Sequence, residues 1–381
     1  MTKINFLELT KKLISFPSVT PNPFGSLDYI ANLLEENGFK IWLKDFGQGE
    51  EKVYNLYAKF GNTSPNICFA GHIDVVPPGD LSKWLFDPYV ATEHGGYLYG
   101  RGVVDMKGSI ACMIAASINF IKSNNNLNES ISFLLTSDEE GPAINGTKLM
   151  LEYIYEELKE KIDLAIVGEP TLDQEIGDTV HIGRRGSISF ELEITGKQGH
   201  VAYQSQAINP NTIMVNFLHR LTSTKIDDGN EWFEPSNLEI TSIDVGNMTE
   251  NIIPNSCKAK FNIRYNDIHT KDELLEKIEN IIKDFTNNYE LKYRHNAEPF
   301  ISNPNELVDK FVQSSYSITN IQPKFATTGG TSDARFIKNY TKTIEFGLSP
   351  DTAHQINERV KLDHLQTLYD IYYKALENYN K

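Results

Sequence analysis

Residues 66–75 read NICFAGHIDV, and the fold turns on them. From Ile67 to Gly71 every side chain is apolar or absent. Such a run suits a strand covered on both faces, as in the parallel sheets of α/β proteins. It ends at His72, and Asp74 follows two residues on, so an extended backbone projects both to one side. Outward from this strand the chain alternates. Apolar residues at helical spacing mark helices over 5–15 and 26–37, with Gly38 placed to stop the second. Strands are expected over 52–60, 130–137 (SISFLLTS) and 163–168 (DLAIVG), with helices over 107–122 and 147–158. Strand–helix alternation predicts an α/β domain: a mixed, mostly parallel sheet with helices on both faces.

The pattern changes after residue 182. Across 183–296 the strands are long and alternate with period two, as in ISFELEI, NLEITSIDV and KAKFNIRY. Helical spacing recurs over 211–222 and 271–287. This reads as an open-faced α+β layer inserted into the first domain. A helix over 305–317, the short strand TIEFG and a helix over 362–378 then resume the first pattern. The expected organisation is one discontinuous domain, 1–182 and 297–381, around an inserted domain, 183–296. The asparagine-rich run SNNNLNES reads as a surface turn.

The 381 residues carry 51 acidic and 36 basic side chains, a formal charge of −15. No basic patch or stripe is evident, which argues against a nucleic-acid partner and against anionic membranes. An anionic substrate would need arginines placed locally against this field. The three cysteines, Cys68, Cys112 and Cys257, lie in apolar or strand-like runs and read as buried free thiols. A sparse, odd count fits a reducing compartment. The first residues form an amphipathic pattern that includes Glu8 and lacks a small-residue cleavage site, unlike a signal peptide. No apolar run is read as approaching the ~20 residues of a membrane span. A cytoplasmic protein is expected.

Several acids and histidines sit just past strands, where α/β sheets place their ligands. His72 and Asp74 close the first strand. Asp105 lies in GRGVVDMKGS, before an apolar helix. Glu139 and Glu140 follow SISFLLTS in the run SDEEG, Glu169 follows DLAIVG, and His354 follows TIEFG in TAHQINE. Each has a plainer reading: a surface turn for His72 and Asp74, a helix N-cap for Asp105, solvated acids for 138–140. As a set, two histidines and several strand-end carboxylates suit two zinc ions sharing a bridging carboxylate. No phosphate-binding loop, serine elbow or H-E-x-x-H helix competes. His94, His181, His219, His269, His295 and His364 lack an acid-rich strand-end setting and read as structural or surface residues.

The segments GHIDVVP, GRGVVDMKG, TSDEEG, VGEPT, GRRGS, GKQGHVAY, NIIP, TTGGTSDARF and AHQINE occur in that order. With them the chain resembles the M20 metallopeptidase-like amidohydrolases from its first helix to its last. GRRGS, GGTSDARF and GHVAY resemble most the branch that removes succinyl groups from amino-acid precursors. The resemblance implies two zinc ions per subunit, with cobalt as an alternative in one site. It implies that Asp105 bridges them, that His72 and Glu169 complete one site, and that Glu140 and His354 complete the other. It makes Glu139 the general base and Asp74 the partner of His72, and it implies a cis peptide between Asp105 and Met106. The inserted domain would form a homodimer, and its His200 would enter the partner's site to stabilise the oxyanion. Arg184, Ser187, Tyr203, Asn251, Arg264, Gly330 and Thr331 would line the pocket for a small N-succinyl amino acid, with Arg185 or Arg335 adding positive charge. The implied reaction turns N-succinyl-LL-2,6-diaminopimelate into succinate and LL-2,6-diaminopimelate, a precursor of lysine and of bacterial wall cross-links. Two positions depart from that branch: Pro350 replaces an asparagine, and Gln204-Ser205 replace Pro-His. Neither touches the implied metal set. Competing readings are another amide hydrolase of this fold (acetylornithine deacetylase, aminoacylase or dipeptidase) and a non-catalytic metal-binding or carrier protein. GRRGS, Arg264 and GGTSDARF favour a polycarboxylate substrate, and a mere binder has no use for Glu139 beside the ligands.

Overall fold

A computed structural model describes residues 3–124 and 126–381. Asn125, inside the asparagine-rich run, lies outside the described residues. The chain forms two compact units. The first holds the residues up to Ile182 together with Ser302–Ala326 and Ser332–Lys381. The second holds Gly183–Ile301 and Thr327–Thr331. These bounds differ from the division read in the sequence at two places, and hydrogen bonds explain both. Phe300 and Ile301 pair antiparallel with Arg184 and Gly183. The 327–331 segment is held by Arg184, whose Nη1 donates to the Thr328 carbonyl at 3.1 Å, and by Thr327, whose hydroxyl donates to the Trp232 carbonyl at 2.6 Å.

The first unit is built on an eight-stranded mixed sheet in the order Lys40–Phe46, Val53–Phe60, Ser130–Thr136, Asn66–His72, Leu164–Val167, Lys342–Glu345, Thr179–His181, Lys324–Ala326. The four strands from Ser130–Thr136 to Lys342–Glu345 run parallel. Every residue of Asn66–His72 is buried, as its composition requires. Helices Phe6–Ile14, Gly108–Ser123, Glu306–Thr319 and Leu362–Tyr379 pack on one another. Tyr372 of the last meets Phe69 of the sheet edge-on, with ring centroids 5.5 Å apart. Helices Thr147–Glu152 and Ala334–Ile337 pack on each other and on strands of the same sheet. The sequence reading omitted the strands Lys40–Phe46, Thr179–His181 and Lys324–Ala326. The first is an edge strand of alternating exposure, and the other two are three residues long.

The segment Val103–Ser123 spans 21 residues and is apolar enough for a membrane-crossing helix, more than the sequence reading allowed. Its most apolar window is 89% buried within the structure, which makes it a core helix.

The second unit is a four-stranded antiparallel sheet ordered Asn237–Asp244, Ser256–Tyr265, Gly186–Thr195, Tyr289–Ala297. Helices Pro210–Thr222 and Lys271–Lys283 supply the rest of its core. Ile188, Phe190, Leu192 and Ile194 alternate inward and pack with Phe217, Phe261, Leu274 and Ile278. Phe190 and Phe261 stack at 4.8 Å. The strand Tyr289–Ala297 escaped the sequence reading because YELKYRHNA is polar and lies at an edge.

One buried acid stands apart from any site. Glu129 enters the strand Ser130–Thr136 with its side chain fully buried. Burial pushes its carboxyl from 4.5 up to about 7, offset in part by the backbone N–H groups of Glu129 and Asn128 and by the charge of Lys310. The folded protein then keeps a proton that the unfolded chain releases, so stability falls as pH rises from 4.5 to about 7. Glu129→Gln should leave the melting temperature near that of the native chain at about pH 4.5. It should melt higher than the native chain at about pH 8. Thermal melts of both proteins across that range test this, and a difference that does not change with pH would refute it.

Candidate metal centre and active site

The strand Asn66–His72 delivers His72 to its carboxyl end. Gly71 leaves room there for Met106, whose sulfur accepts the His72 backbone N–H at 3.4 Å. The His72 ring is held by its own chain: Nδ1 donates to the Asp74 backbone carbonyl at 2.9 Å, which turns Nε2 toward Asp105. The Asp74 carboxylate is farther from that ring, at 3.6 Å. It accepts instead the backbone N–H groups of Glu139 and Glu140, at 3.3 and 3.1 Å. Asp74 therefore orients His72 through its main chain and fixes the acidic loop through its side chain.

Asp105 is not a helix cap. The helix begins at Gly108, and Asp105 lies in a preceding turn with non-helical dihedrals and a cis peptide to Met106. Gly102, at φ 80, lets this turn fold back in a left-handed conformation. The result is a carboxylate between two imidazoles. Oδ1 lies 3.0 Å from His72 Nε2, and Oδ2 lies 3.2 Å from His354 Nε2. His354 also meets Glu140 Oε1 at 2.8 Å, and His72 lies 3.7 Å from Glu169 Oε1. His354 holds a left-handed φ of 61. For a non-glycine residue this costs ~1–2 kcal/mol and is typical of functional loops.

The three consecutive acids separate. Asp138 turns into its own loop and accepts the N–H of Ile144 at 3.1 Å. Glu140 faces His354. Glu139 belongs with His72 and Glu169, the ligand atoms of the three lying within 4.8 Å of one another. His72, Asp105 and Glu140 form a second such group. Two residues that the sequence reading passed over also belong here. Arg101 and Glu358 form a buried ion pair of 2.7 Å beside the Asp105 turn. Their signal was charge inside the same motifs, GRGVVD and HQINE.

Four carboxylates facing two imidazoles make a site that draws positive charge. Burial alone would lower the His72 pKa, yet Asp105, Glu139 and Asp74 hold it well above the usual histidine value. Hydrogen bonds to Asp105 and Glu140 raise His354 to about 10. Burial, then the charge of Glu169, pushes Glu139 well above the usual carboxylate range. Against its own burial, Asp105 is held well below that range by His354 and His72. Such a site suits divalent cations: two such ions would balance Asp105, Glu139, Glu140 and Glu169 with both imidazoles neutral. The donor set of imidazole nitrogens and carboxylate oxygens fits zinc.

The second unit carries the other predicted residues. His200 is exposed, and its Nδ1 accepts the Ala202 N–H at 3.1 Å. Tyr203 is exposed beside it, and the Asn251 carbonyl accepts the Val201 N–H. Arg264 lies across the sheet from Ser187. Burial and the like charge of Arg185 lower its pKa. Ser187 Oγ accepts from the amides of Asn262 and Asn296 at 3.2 and 3.1 Å. Arg184 is buried on Thr328, while Gly330 is exposed and Thr331 is partly so.

Comparison with known proteins bears on the whole chain. Residues 68–378 match the model of peptidase family M20/M25/M40. The chain is 53% identical over 376 residues to a succinyl-diaminopimelate desuccinylase of Orientia tsutsugamushi (strain Boryong), covering 99% of this chain and 96% of that protein. To the protein of the same name from Rickettsia bellii (strain RML369-C) it is 53% identical, covering 96% and 94%. Its fold is similar to that of an M20 family metallo-carboxypeptidase from Sulfolobus solfataricus, with a TM-score of 0.77, 18% identity and 99% of each chain covered. A family model that spans the strand bearing His72, the turn bearing Asp105 and the loop bearing His354, together with these full-length relatives, settles the kinship: the chain belongs to peptidase family M20/M25/M40.

Proposed function

We propose that this chain is a two-metal amide hydrolase that cleaves N-succinyl-LL-2,6-diaminopimelate to succinate and LL-2,6-diaminopimelate. The observation that carries this reading is the Asp105 carboxylate, with one oxygen toward each of two imidazoles. The choice of substrate is supported by near-full-length relatives, 51–53% identical, that bear the desuccinylase name.

In this reading Asp105 would be shared by two zinc ions. His72 and Glu169 would complete one site, and Glu140 and His354 the other, with cobalt as an alternative in one of them. When bound, such ions lower the pKa of water and polarise an amide carbonyl. Glu139 takes the proton of the attacking water and hands it to the leaving amine. His200 stabilises the oxyanion from the partner subunit of a homodimer formed through the second unit. Because its Nδ1 accepts the Ala202 N–H, the neutral ring carries its proton on Nε2 as a free donor. Arg184 and Arg264 pair with substrate carboxylates, and an anion would relieve the burial of Arg264 and its crowding by Arg185. Ser187, buried and accepting two amide N–H groups, would belong to the same pocket wall. Tyr203, Asn251, Gly330 and Thr331 complete the pocket. Cys68, Cys112 and Cys257 are free and buried, which supports work in the reducing cytoplasm.

Metal content tests the centre first. Elemental analysis should find two zinc-equivalents per chain, and Asp105→Ala should lose both, since a bridging ligand serves each site. Loss of one alone would exclude the bridge. Glu139→Gln should keep the metal and lose about 10²–10⁴ in kcat, and His200→Ala about 10²–10³. Mixing these two inactive variants should restore activity in heterodimers, because one site then combines an intact Glu139 with the partner's intact histidine. Verified heterodimers without activity would place His200 outside trans catalysis. Substrate choice follows from charge. The succinyl carboxylate and the second α-carboxylate are absent from N-acetylornithine, and each charge-assisted bond contributes ~1.5–3 kcal/mol. The succinyl substrate should therefore be preferred by about 10²–10⁴ in kcat/KM, and Arg264→Ala or Arg184→Ala should shrink that ratio. Equal efficiency on acetylornithine would favour an acetylornithine deacetylase instead.

A further inference from the structure

Arg101 and Glu358 are 257 residues apart in sequence, and each is about 2% exposed or less. Glu358 Oε2 accepts from Arg101 Nη1 at 2.7 Å and from the Gly102 N–H at 2.9 Å. Its Oε1 accepts the Val104 N–H at 2.9 Å. One carboxylate thus grips the backbone immediately before Asp105. Arg101 Nη2 in turn reaches the carbonyls of Pro77 and His354, each at 3.4 Å. The guanidinium lies over the Trp84 ring, 5.2 Å from its centroid. The pair therefore joins three segments: the chain after His72 and Asp74, the Asp105 turn, and the left-handed residue His354.

The three segments do not depend on it equally. His72 ends a fully buried strand and is oriented by the Asp74 carbonyl, without help from Arg101 or Glu358. The His354 side chain is 51% exposed, and its residue holds a positive φ in a loop whose carbonyl Arg101 grips.

We propose that Arg101 and Glu358 are positioning residues that set the His354 side of the metal centre, and that their loss weakens one metal site selectively. The inference rests on the reading of Asp105 and His354 as ligands. Partners that orient ligands typically contribute 10–100-fold in metal affinity.

The test is calorimetric titration of zinc into the metal-free full chain, into Glu358→Gln and into Arg101→Lys, with circular dichroism on each. The first variant keeps the shape of the carboxylate without its charge, and the second keeps the charge without the planar fork. The native chain should take up zinc in two equivalents. Each variant, with an unchanged spectrum, should keep one equivalent at native affinity and bind the other about 10–100-fold more weakly. Native affinity for both equivalents in the variants would overturn the inference alone. So would equal weakening of both, or unfolding of both variants, since either outcome means a general structural role. Failure of the native chain to bind zinc would overturn the metal reading itself, and this inference with it.

Discussion

A concentration of negative charge around Asp105 is the constraint to which the first unit is built. Asp105, Glu139, Glu140 and Glu169 converge on two imidazoles at the carboxyl end of a buried parallel sheet. Gathering ionised groups away from water costs several kcal/mol per group unless each finds a partner. The surroundings are arranged to meet that cost with positively polarised groups. Backbone N–H groups close on Asp74 and Glu358, imidazoles close on Asp105, and the guanidinium of Arg101 lies next to the turn. The altered proton affinities of His354 and Glu139 express the same crowding.

Division of labour within single residues is a second feature of the site. Asp74 uses its carbonyl to aim His72 and its carboxylate to hold the loop of Glu139 and Glu140. Lys107, buried behind the Asp105 turn, donates to the Phe16 carbonyl at 2.7 Å and ties that turn to the chain after the first helix. Such contacts join main chain to side chain across long stretches of sequence. They bring rigidity to loops that have little regular structure of their own.

This also explains what could be read before the structure. Asn66–His72, Ser130–Thr136 and the helix Gly108–Ser123 were plain because burial on all sides leaves runs dominated by apolar residues. The strand-end acids and histidines were legible as candidates because the strands themselves were. The strand Tyr289–Ala297 was not, since an edge strand exposed to solvent carries no apolar alternation strong enough to mark it. Nor was the pairing of Arg101 with Glu358, which has no local signature and arises only when the 100–105 turn and the 354–358 loop meet. The separate tasks of the carbonyl and the carboxylate of Asp74 were equally hidden, because spacing shows which side a residue faces and not which of its atoms is used.

The order of strands in the large sheet bears on how the chain is made. Lys342–Glu345 lies between Leu164–Val167 and Thr179–His181, near the middle of the sheet, yet it follows the whole of Gly183–Ile301 in sequence. On the ribosome the second unit, almost contiguous, has emerged and can close its own core while the first still has a gap at its centre. During that interval Leu164–Val167 presents an apolar edge whose eventual neighbour has yet to be translated. An unpaired edge of that kind invites association with other chains. The late strand, four residues long, is the element that closes this edge.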